Sequence, residues 1–390
     1  MPKFLVVFGT RPEAIKMAPV LRALVGEPQV TAVACSTGQH QEILAQVLSL
    51  FDIEPRYNLR VMAPNQQLAA LTSVLLTRLE KVMRIERPDR VLVQGDTTTA
   101  MVAALAASYQ KIPVAHIEAG LRSHNPWEPF PEELNRKLID VIADMFFAPT
   151  TIERNDLLRE GKPSEQIHVT GNTSIDALQY VLSLSFCPQA GALAEIPIGT
   201  KRIILATVHR RENHGAPLMK ICNAIRVLAA SYEDSAHIVI PVHPNPNVKA
   251  EVHRHLGGIP NITLTEPLGY QDLVTVANAA YFALTDSGGL QEELTWLGKP
   301  ALVLRNVTDR REAIEAGAAI LVGTEARTIV SAAVQLMENP VLYQAMAQPR
   351  PLFGDGNAAH RIVHVLLQRQ PFVVPRPATL PSVADLRPAA

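Results

Sequence analysis

The sequence has few cysteines, no excess of charge of either sign and no long apolar run. Its three cysteines, Cys35, Cys187 and Cys222, are odd in number and widely spaced, so they fit neither a disulfide framework nor a zinc site. We expect them to be reduced core residues. The net charge of −1 argues against nucleic acid or an anionic membrane as the main partner. No apolar stretch reaches the roughly 18 residues of a membrane helix, and the N-terminus lacks the flanks of a signal peptide. We therefore expect a cytoplasmic protein.

Several catalytic motifs are also missing. His209 and His243 follow separate predicted strands, without the His-Glu-x-x-His or paired-cysteine spacing that a zinc site needs. No Gly-x-Ser-x-Gly elbow occurs, and no Gly-x-Gly-x-x-Gly follows the first predicted strand. These absences count against a metallohydrolase, a serine hydrolase and a nicotinamide enzyme.

The 390 residues are long for a single core, and two domains are the default at this length. Apolar runs alternate with helical patterns throughout, which predicts parallel sheets with helices on both faces. The predicted strands are Phe4–Phe8, Val30–Cys35, Arg90–Val93, Val114–Ile117, Met145–Ala148, His168–Val169, Arg202–Ala206, His237–Pro241, Ile262–Leu264, Tyr281–Thr285 and Ala301–Leu304. The main helical patterns are Thr99–Tyr109, Glu133–Ala143, Ser174–Leu184 and Ala358–Gln370.

The predicted fold class is α/β, with two doubly wound, Rossmann-like domains that face a central cleft and bind ligands at the carboxyl ends of their strands. We place the N-terminal domain at residues 1–172 and the C-terminal domain at residues 173–357, and we expect the helix near residues 358–370 to complete the first domain. The Cys187–Thr200 stretch, rich in Pro, Gly and Ala, is the best linker candidate. The proline-rich residues 371–390 are predicted to form a disordered or loosely packed tail.

The segment Gly9–Met17 ends the first predicted strand and begins a helix, a geometry that suits anionic ligands. Thr10 and Glu13 predict a capping box, and Pro12 suits the first helical turn. Arg11 does not suit it, because a cation there opposes the helix dipole unless an anion neutralises it. The two alternatives are an anion-binding loop and an ordinary strand-to-helix turn with a surface arginine.

Acidic residues follow two further predicted strands. Asp96 comes after Arg90–Val93, and Glu118 comes after Val114–Ile117, one strand–helix unit later. Since the carboxyl ends of parallel strands meet at one edge, both carboxylates face one crevice if these strands are neighbours. Asp96 could instead cap the helix that follows it.

A third acidic element is Pro129-Phe130-Pro131-Glu132-Glu133, which begins a helix. Both acids complement the helix dipole at that position. Capping is a sufficient explanation for Glu133, whereas Glu132 is either a capping residue or a functional one.

Basic residues follow two strands of the second half. His209, Arg210 and Arg211 come after Arg202–Ala206, and His243 comes after His237–Pro241. Each of these strands therefore places a histidine at its carboxyl end.

A candidate diphosphate site follows the strand Tyr281–Thr285. Ser287-Gly288-Gly289 lies between this strand and a helix, where backbone N–H groups can approach a diphosphate and the serine hydroxyl can add a donor. Arg305 and the Arg310-Arg311 pair, which follow the next strand, reinforce this interpretation. Glu293, about one helical turn on, points either at ribose hydroxyls or at solvent.

Taken together, these motifs resemble one family. They are, in chain order, Gly-Thr-Arg-Pro-Glu-Ala-Ile-Lys, Gly-Asp-Thr-Thr-Thr, His-Ile-Glu-Ala-Gly-Leu-Arg, Pro-Glu-Glu-Leu-Asn-Arg, Thr-Gly-Asn-Thr, His-Arg-Arg-Glu-Asn, Pro-Val-His-Pro-Asn-Pro and Thr-Asp-Ser-Gly-Gly-Leu-Gln-Glu-Glu. From about residue 3 to residue 370, the chain closely resembles the bacterial non-hydrolysing UDP-N-acetylglucosamine 2-epimerases.

The resemblance implies the two-domain arrangement of the GT-B glycosyltransferases, a homodimer, and no metal or nicotinamide cofactor. It implies reversible interconversion of UDP-N-acetylglucosamine and UDP-N-acetylmannosamine, which feeds surface-polysaccharide synthesis. In the route proposed for the family, UDP is eliminated to leave a 2-acetamidoglucal and is then re-added with the opposite configuration at carbon 2.

The resemblance also implies roles for individual residues. The positions that match binders of UDP or its phosphates are Arg11, His209, Ser287, Gly288, Gly289 and Arg310, and the position that matches the ribose binder is Glu293. The residues that match the catalytic group are Asp96, Glu118, Glu132, Lys16 and His209. We expect Lys16, Asp96 and Glu118 to contact the substrate as well. Inversion needs a proton acceptor on one face of the sugar and a donor on the other, and which acid serves which face stays open.

The chain departs from the family pattern at three places. Ser123–Glu128 stands where relatives usually show an Asp and a Tyr-Ser pair, and Arg311 stands where a proline commonly follows the matched Arg310. Some relatives have a second, activating UDP-N-acetylglucosamine site, to which this chain could contribute Gln39, His40, Glu132, Arg211 and His243. Asn65 replaces an arginine that many relatives use there, which weakens the case for activation.

Four other functions compete with this epimerisation. A hydrolysing 2-epimerase would release UDP and free N-acetylmannosamine, and a related epimerase would act on a 2,3-diacetamido UDP-sugar. A glycosyltransferase on the same fold would need an acceptor. A nucleotide-sugar sensor would bind without turnover, and the three matched acids argue against it.

Overall fold

The computed structural model describes residues 1–38, 41–63, 66–184 and 193–368. Within them lie two parallel β-sheets, each flanked by helices. The strands of the first sheet are β1 Lys3–Phe8, β2 Thr31–Ser36, β3 Tyr57–Asn58, β4 Arg90–Gln94, β5 Val114–Ile117, β6 Met145–Ala148 and β7 Ile167–Val169. The strands of the second are β8 Arg202–Thr207, β9 Ala236–Pro241, β10 Ile262–Thr265, β11 Ala280–Thr285, β12 Ala301–Val303 and β13 Ala319–Leu321.

Helices connect these strands. They are α1 Arg11–Val25, α2 Gln41–Leu50, α3 Leu68–Glu86, α4 Thr98–Tyr109, α5 Glu132–Ile142, α6 Thr151–Arg159, α7 Thr173–Ser183, α8 Ala216–Ser231, α9 Pro246–Leu256, α10 Tyr270–Ala279, α11 Gly288–Leu297, α12 Arg311–Glu315, α13 Ala326–Glu338, α14 Pro340–Met346 and α15 Ala358–Gln368. In the part of the chain that the structure describes, none of the helices has the length and apolar character needed to span a membrane.

Both sheets are doubly wound. The strand orders are β3-β2-β1-β4-β5-β6-β7 and β10-β9-β8-β11-β12-β13, and neighbouring strands are parallel throughout. Each order reverses beside its first strand, between β1 and β4 and between β8 and β11. Such a reversal opens a crevice outside the carboxyl ends of the strands, which is where ligands bind in this class of sheet. The predicted α/β class with two doubly wound domains is confirmed.

The predicted strands are all present, with ends that differ by one residue at most. Two short edge strands were not predicted, β3 (Tyr57–Asn58) and β13 (Ala319–Leu321). The predicted capping box of α1 is also present. The Thr10 hydroxyl accepts from the Glu13 N–H at 3.5 Å, and a Glu13 carboxylate oxygen accepts from the Thr10 N–H at 2.8 Å.

The helices α7 and α15 connect the two halves of the chain. Ile362 of α15 and Leu178 of α7 lie in one core cluster with α1, beneath the first sheet, whereas Ile175 of α7 lies in a core cluster of the second sheet. This packing supports the idea that α15 completes the first domain. The domain boundaries themselves stay a prediction.

Three further predictions concern residues outside or at the edge of the described chain. Cys35 and Cys222 are buried free thiols, as predicted, but Cys187 lies outside the described residues. The start of the Cys187–Thr200 linker and the whole of the 371–390 tail lie outside them too.

Candidate active site

The carboxyl edge of the first sheet brings the acidic residues of the N-terminal half together. β4 and β5 are neighbours in parallel register, with Gln94 beside Ile117. Asp96 and Glu118 therefore leave adjacent strands at the same edge, as the spacing predicts. β1 lies on the other side of β4, so α1, which follows β1 and carries Lys16, begins at this edge as well.

Glu118 is a buried carboxylate with donors on both of its oxygens. Its Oε1 accepts from Lys16 Nζ at 2.5 Å, from Asn172 Nδ2 at 3.0 Å and from Arg310 NH2 at 3.1 Å. Its Oε2 accepts from Gln94 Nε2. Burial alone would raise the pKa of Glu118, but the Lys16 and Arg310 charges and these hydrogen bonds lower it below its ordinary value. Glu118 is therefore held as an anion.

Within the first domain, Lys16 is the cationic partner of Glu118. Burial alone would lower the pKa of Lys16, but the negative charges of Glu118 and Glu292 raise it above its ordinary value. The side chain is 10% exposed, so the ion pair with Glu118 is shielded from water. Such a buried pair is costly to break, because either partner alone would be an uncompensated charge.

Asp96 pairs with an arginine that the sequence did not single out. Its Oδ2 accepts from NH2 of Arg136, a buried residue of α5. Asp96 does not cap α4, since Thr97 is the N-cap residue and its hydroxyl accepts from the Ala100 N–H at 3.0 Å. The capping alternative for Asp96 is wrong, and its carboxylate pairs with Arg136 instead.

Glu132 is the first residue of α5. Burial, and next the negative charge of Asp96, raise the pKa of Glu132 above its ordinary value. Glu132 and Asp96 are therefore within electrostatic reach of each other. The raised pKa of Glu132 beside a second carboxyl group is an arrangement that suits a proton donor and a proton acceptor.

Glu133 does more than cap its helix. The side chain is fully buried, and it accepts from the backbone N–H groups of Ser123 at 3.0 Å and His124 at 3.2 Å. The interpretation of Glu133 as a capping residue alone is therefore wrong. It ties the loop that follows Glu118 to the start of α5.

In the second domain, His209 is oriented by a buried aspartate. Its ring Nδ1 lies 3.0 Å from Asp286 Oδ1. Asp286 also accepts from the N–H groups of His209 and Arg210 and from Asn213 Nδ2, at 2.9 to 3.1 Å. Burial alone would raise the pKa of Asp286, but these bonds and the His209 charge lower it to about 2. The His209 side chain is 44% exposed, so Nε2 can meet a ligand while Nδ1 is held.

The N-terminus of α11 has the features of an anion site. Ser287 is its N-cap residue, and the hydroxyl accepts from the Leu290 N–H at 3.4 Å. The first-turn N–H groups of a helix, here those of Gly288 and Gly289, have no partner within the helix. A Cβ atom on Gly289 would meet nothing within 4 Å, whereas one on Gly288 would lie 3.3 Å from Arg310 Cζ. The approach to the backbone is thus open at Gly289.

Arg310 connects this helix to the carboxyl edge of the first sheet, where Lys16, Asp96 and Glu118 lie. We call this edge the catalytic edge. Its Nε donates to Glu292 Oε1 at 2.8 Å, its NH1 lies 2.8 Å from Asp309 Oδ2, and its NH2 donates to Glu118. Burial alone would lower the pKa of Arg310, but the charges of Asp309, Glu292 and Glu118 raise it well above its ordinary value. Arg305, the other arginine expected here, pairs with Glu212 at 3.1 Å.

Glu293 and Arg11 both contact the Leu268–Tyr270 segment of the second domain. Glu293 is 6% exposed, accepts from the Tyr270 hydroxyl at 2.8 Å, and does not point at bulk solvent. Burial raises the pKa of Glu293 to about 7, although the Tyr270 bond opposes the rise. Arg11 donates from NH1 to the Leu268 carbonyl at 2.9 Å. Burial lowers the pKa of Arg11, and the charge of Glu293 opposes this. Arg11 is thus partly buried against the second domain, and its anion-binding role stays a prediction.

The residues expected at an activating site are only partly described. Gln39, His40 and Asn65 lie outside the described residues, as does the side chain of Arg211. The His243 ring accepts at Nδ1 from the Asn245 N–H at 3.2 Å. The activating site stays a prediction.

Arg136, Asn172, Tyr270 and Asp286 are among the site residues that were not predicted; they are buried and bond to residues that were predicted. Asp286 had a usable signal, since it is an acid directly after a predicted strand. Arg136 and Asn172 lie within two of the motifs that carry the family resemblance, whereas nothing local marks Tyr270. Across residues 1–38, 41–63, 66–184 and 193–368, no group of three or more His, Cys, Asp or Glu side chains is arranged to hold a metal ion.

Comparisons with known proteins show which family this chain is similar to. The family model described as UDP-N-acetylglucosamine 2-epimerase matches residues 22–367. The UDP-N-acetylglucosamine 2-epimerase of Salmonella typhimurium is 47% identical over 369 residues, which are 93% of this chain and 98% of that protein. The crystal structure of the UDP-GlcNAc 2-epimerase from Neisseria meningitidis bound to UDP-GlcNAc is similar with a TM-score of 0.91 and 46% identity, over 94% of this chain and 100% of that one. The glycotransferase of kitacinnamycin shares the fold at a TM-score of 0.65 and 14% identity, over 94% of this chain and 99% of that one.

Proposed function

Because the chain belongs to the UDP-N-acetylglucosamine 2-epimerase family, we propose that it interconverts UDP-N-acetylglucosamine and UDP-N-acetylmannosamine. In the forward direction the bond from carbon 1 to the UDP oxygen breaks and the carbon 2 hydrogen leaves as a proton, which gives UDP and a 2-acetamidoglucal. Re-addition of UDP forms the same bond again, and a proton is delivered to the opposite face of carbon 2. The observation that supports this most is the Arg310–Glu118 contact, which joins the acidic carboxyl edge of the first sheet to the N-terminal region of α11 in the second domain.

Departure of UDP needs stabilisation of the charge that develops on its diphosphate. We assign this task to the Gly289 N–H, the Ser287 hydroxyl and the Nε2 of His209. The open approach to Gly289 and the fixed His209 ring support this assignment. Arg11 adds a cation from the first domain, and Glu293 is placed at the ribose.

We further propose that Asp96 and Glu132 exchange the proton at carbon 2, and that Glu118 does not. Both oxygens of Glu118 are occupied by donors, and its lowered pKa makes it a poor base. Its task is to hold Lys16 and Arg310 at the cleft. Asp96 has a cationic partner in Arg136, whereas the raised pKa of Glu132 favours the acid. In the forward reaction Asp96 accepts the proton and Glu132 donates one to the other face.

This assignment predicts a pH dependence. Since burial and the Asp96 charge raise the pKa of Glu132, the carboxyl stays protonated to a higher pH than an exposed glutamate does. The protonated fraction of Glu132 is full below that raised pKa and falls as the pH increases through it, so turnover falls on the alkaline side. The measurement is kcat as a function of pH. We expect the exposed loop variant Glu128→Gln to keep this alkaline fall and Glu132→Gln to lose it with most of the activity. A wild-type rate that increases over the same range would contradict the assignment.

Product analysis tests the proposed function itself. The protein is incubated with UDP-N-acetylglucosamine alone, and the products are separated and quantified at equilibrium. We expect a stable mixture of the two UDP-sugars with no accumulation of free UDP. Equal amounts of UDP and free N-acetylmannosamine would establish a hydrolysing enzyme instead. A parallel assay on a 2,3-diacetamido UDP-sugar decides between the two substrate classes.

We also propose that the protein is a cytoplasmic homodimer that supplies surface-polysaccharide synthesis. One feature that supports self-association is an exposed apolar stripe on α5, formed by Leu134, Leu138 and Val141, which are 45%, 40% and 73% exposed. Light scattering of the purified protein gives the mass in solution. A monomer mass that does not change with concentration would contradict the dimer.

A further inference from the structure

Four consecutive residues of the second domain, Asp309 to Glu312, each contact the first domain. The four contacts are Asp309 Oδ2 to Arg136 NH1 at 3.7 Å, Arg310 NH2 to Glu118 Oε1 at 3.1 Å, Arg311 NH2 to Asp156 Oδ2 at 2.7 Å, and Glu312 Oε1 to Thr150 Oγ1 at 2.6 Å. The first two reach the acids and the arginine of the catalytic edge. The last two reach Asp156 within α6 and Thr150, the N-cap residue of that helix. One short segment therefore joins the catalytic edge and a docking contact.

The Arg311–Asp156 contact is an ion pair with one buried partner. The Asp156 side chain is 2% exposed, and the Arg311 side chain is 37% exposed. Asp156 has a second arginine on its other oxygen, because Arg159 NH1 lies 2.7 Å from Oδ1. Arg159 belongs to α6 itself and is 71% exposed. The same carboxylate thus has one partner within its own domain and one across the cleft.

The contacts of Arg311 and Glu312 with the first domain restrict the position of Arg310. α12 begins at Arg311, and Arg310 is its N-cap residue. The Arg310 N–H donates to the Thr308 hydroxyl at 3.1 Å, which fixes the backbone where the guanidinium leaves the chain. When α12 is held on α6, the Arg310 side chain is therefore directed at Glu118.

We propose that Arg311 is a positioning residue, whose ion pair with Asp156 docks α12 on α6 and thereby places the Arg310 guanidinium on Glu118 across the cleft. The substrate then binds to a cleft in which both of these contacts have already formed. Without the Arg311 contact, part of the population would have α12 undocked, and substrate binding would have to restore the docked state. The apparent affinity falls in proportion to the docked fraction, whereas the reaction of the bound complex is unchanged. The kinetic part of this proposal rests on the proposed function; the docking part does not.

The test compares Arg311→Gln with Arg159→Gln in the full chain. Both variants remove one arginine from the same carboxylate, and only the first removes a contact across the cleft. An ion pair of about 1 kcal/mol corresponds to a factor of about five. For Arg311→Gln we expect KM for UDP-N-acetylglucosamine and Kd for UDP to increase about five-fold, with kcat within about two-fold of the wild type. Arg311→Lys keeps the charge and should recover most of the affinity.

Amide hydrogen exchange of the ligand-free protein tests the docking without any turnover. We expect faster exchange in the peptide that contains α12 for Arg311→Gln and unchanged exchange there for Arg159→Gln. The proposal requires both the weaker UDP binding and the faster exchange in Arg311→Gln, and neither in Arg159→Gln. Any other pattern overturns it. If the protein binds UDP but does not epimerise the sugar, the proposed function fails while the docking proposal is still decided by exchange and UDP affinity.

Discussion

Replacement of Asp96 by asparagine is expected to lower kcat by about 10²–10⁴-fold, which is the range for loss of a general base. Asparagine keeps the size of the side chain and can still accept from Arg136 NH2, so the α5 contact is preserved. What is lost is the negative charge that takes the proton from carbon 2. The measurement is steady-state turnover of UDP-N-acetylglucosamine, together with UDP binding by calorimetry, which we expect to change little.

A matched control exists at the opposite edge of the same sheet. Asp144 precedes β6 and pairs with Arg90 at the start of β4, with 2.5 Å between NH1 and Oδ1. Asp144→Asn therefore removes an aspartate–arginine pair of the same kind in the same domain, far from the carboxyl edge. We expect it to keep wild-type turnover. A kcat for Asp96→Asn within about ten-fold of the wild type would show that Asp96 is not the base.

Replacement of Glu118 by glutamine is expected to damage both stability and activity. The substitution leaves the Lys16 ammonium without its ion-pair partner and removes one of the carboxylates on Arg310. Breaking a buried pair by removal of one partner typically costs about 3–5 kcal/mol. We expect a free energy of unfolding that is lower by about this amount in urea titrations, and turnover reduced by at least about 100-fold because the cations at the cleft are no longer held.

The double variant Lys16→Met with Glu118→Gln separates the two effects. Removal of the unpaired ammonium should restore part of the stability and none of the activity. Glu86→Gln is the control for the loss of a buried glutamate elsewhere, since Glu86 Oε2 pairs with Lys3 Nζ at 3.1 Å. It should leave turnover unchanged. A Glu118→Gln variant as stable as the wild type would mean that the Lys16–Glu118 pair does not have the buried, charged character described here.

The sequence predicts the fold well where its physical signal is local. Buried parallel strands are continuous apolar runs, so Phe4–Phe8 or Met145–Ala148 can be recognised without knowledge of their neighbours. The edge strand Tyr57–Asn58 has two residues and no such run, so its strand conformation comes from pairing with β2 and is invisible locally. Ala319–Leu321 does lie in an apolar run, Ala318–Val322, but this run was not predicted to be a strand.

The residues of the candidate site also divide into those with a local signal in the sequence and those without one. Asp96 and Glu118 were found because each follows a strand, and the order of parallel strands brings such positions to one edge. The contacts that these acids make were not predicted. Arg136 lies 40 residues from Asp96, and Arg310 lies 192 residues from Glu118, so these contacts depend on how helices and domains pack. No spacing rule in the sequence predicts such contacts.

Deuterium incorporation tests the central claim most directly. The protein is incubated with UDP-N-acetylglucosamine in deuterium oxide, and proton NMR of both UDP-sugars reports the hydrogen at carbon 2. If one group removes the proton and another delivers one to the opposite face, the N-acetylmannosamine epimer should contain deuterium at carbon 2. The reverse reaction should then place deuterium at carbon 2 of the N-acetylglucosamine epimer as well. UDP-N-acetylmannosamine that forms with the original hydrogen still at carbon 2 would contradict the elimination route and the roles assigned to Asp96 and Glu132.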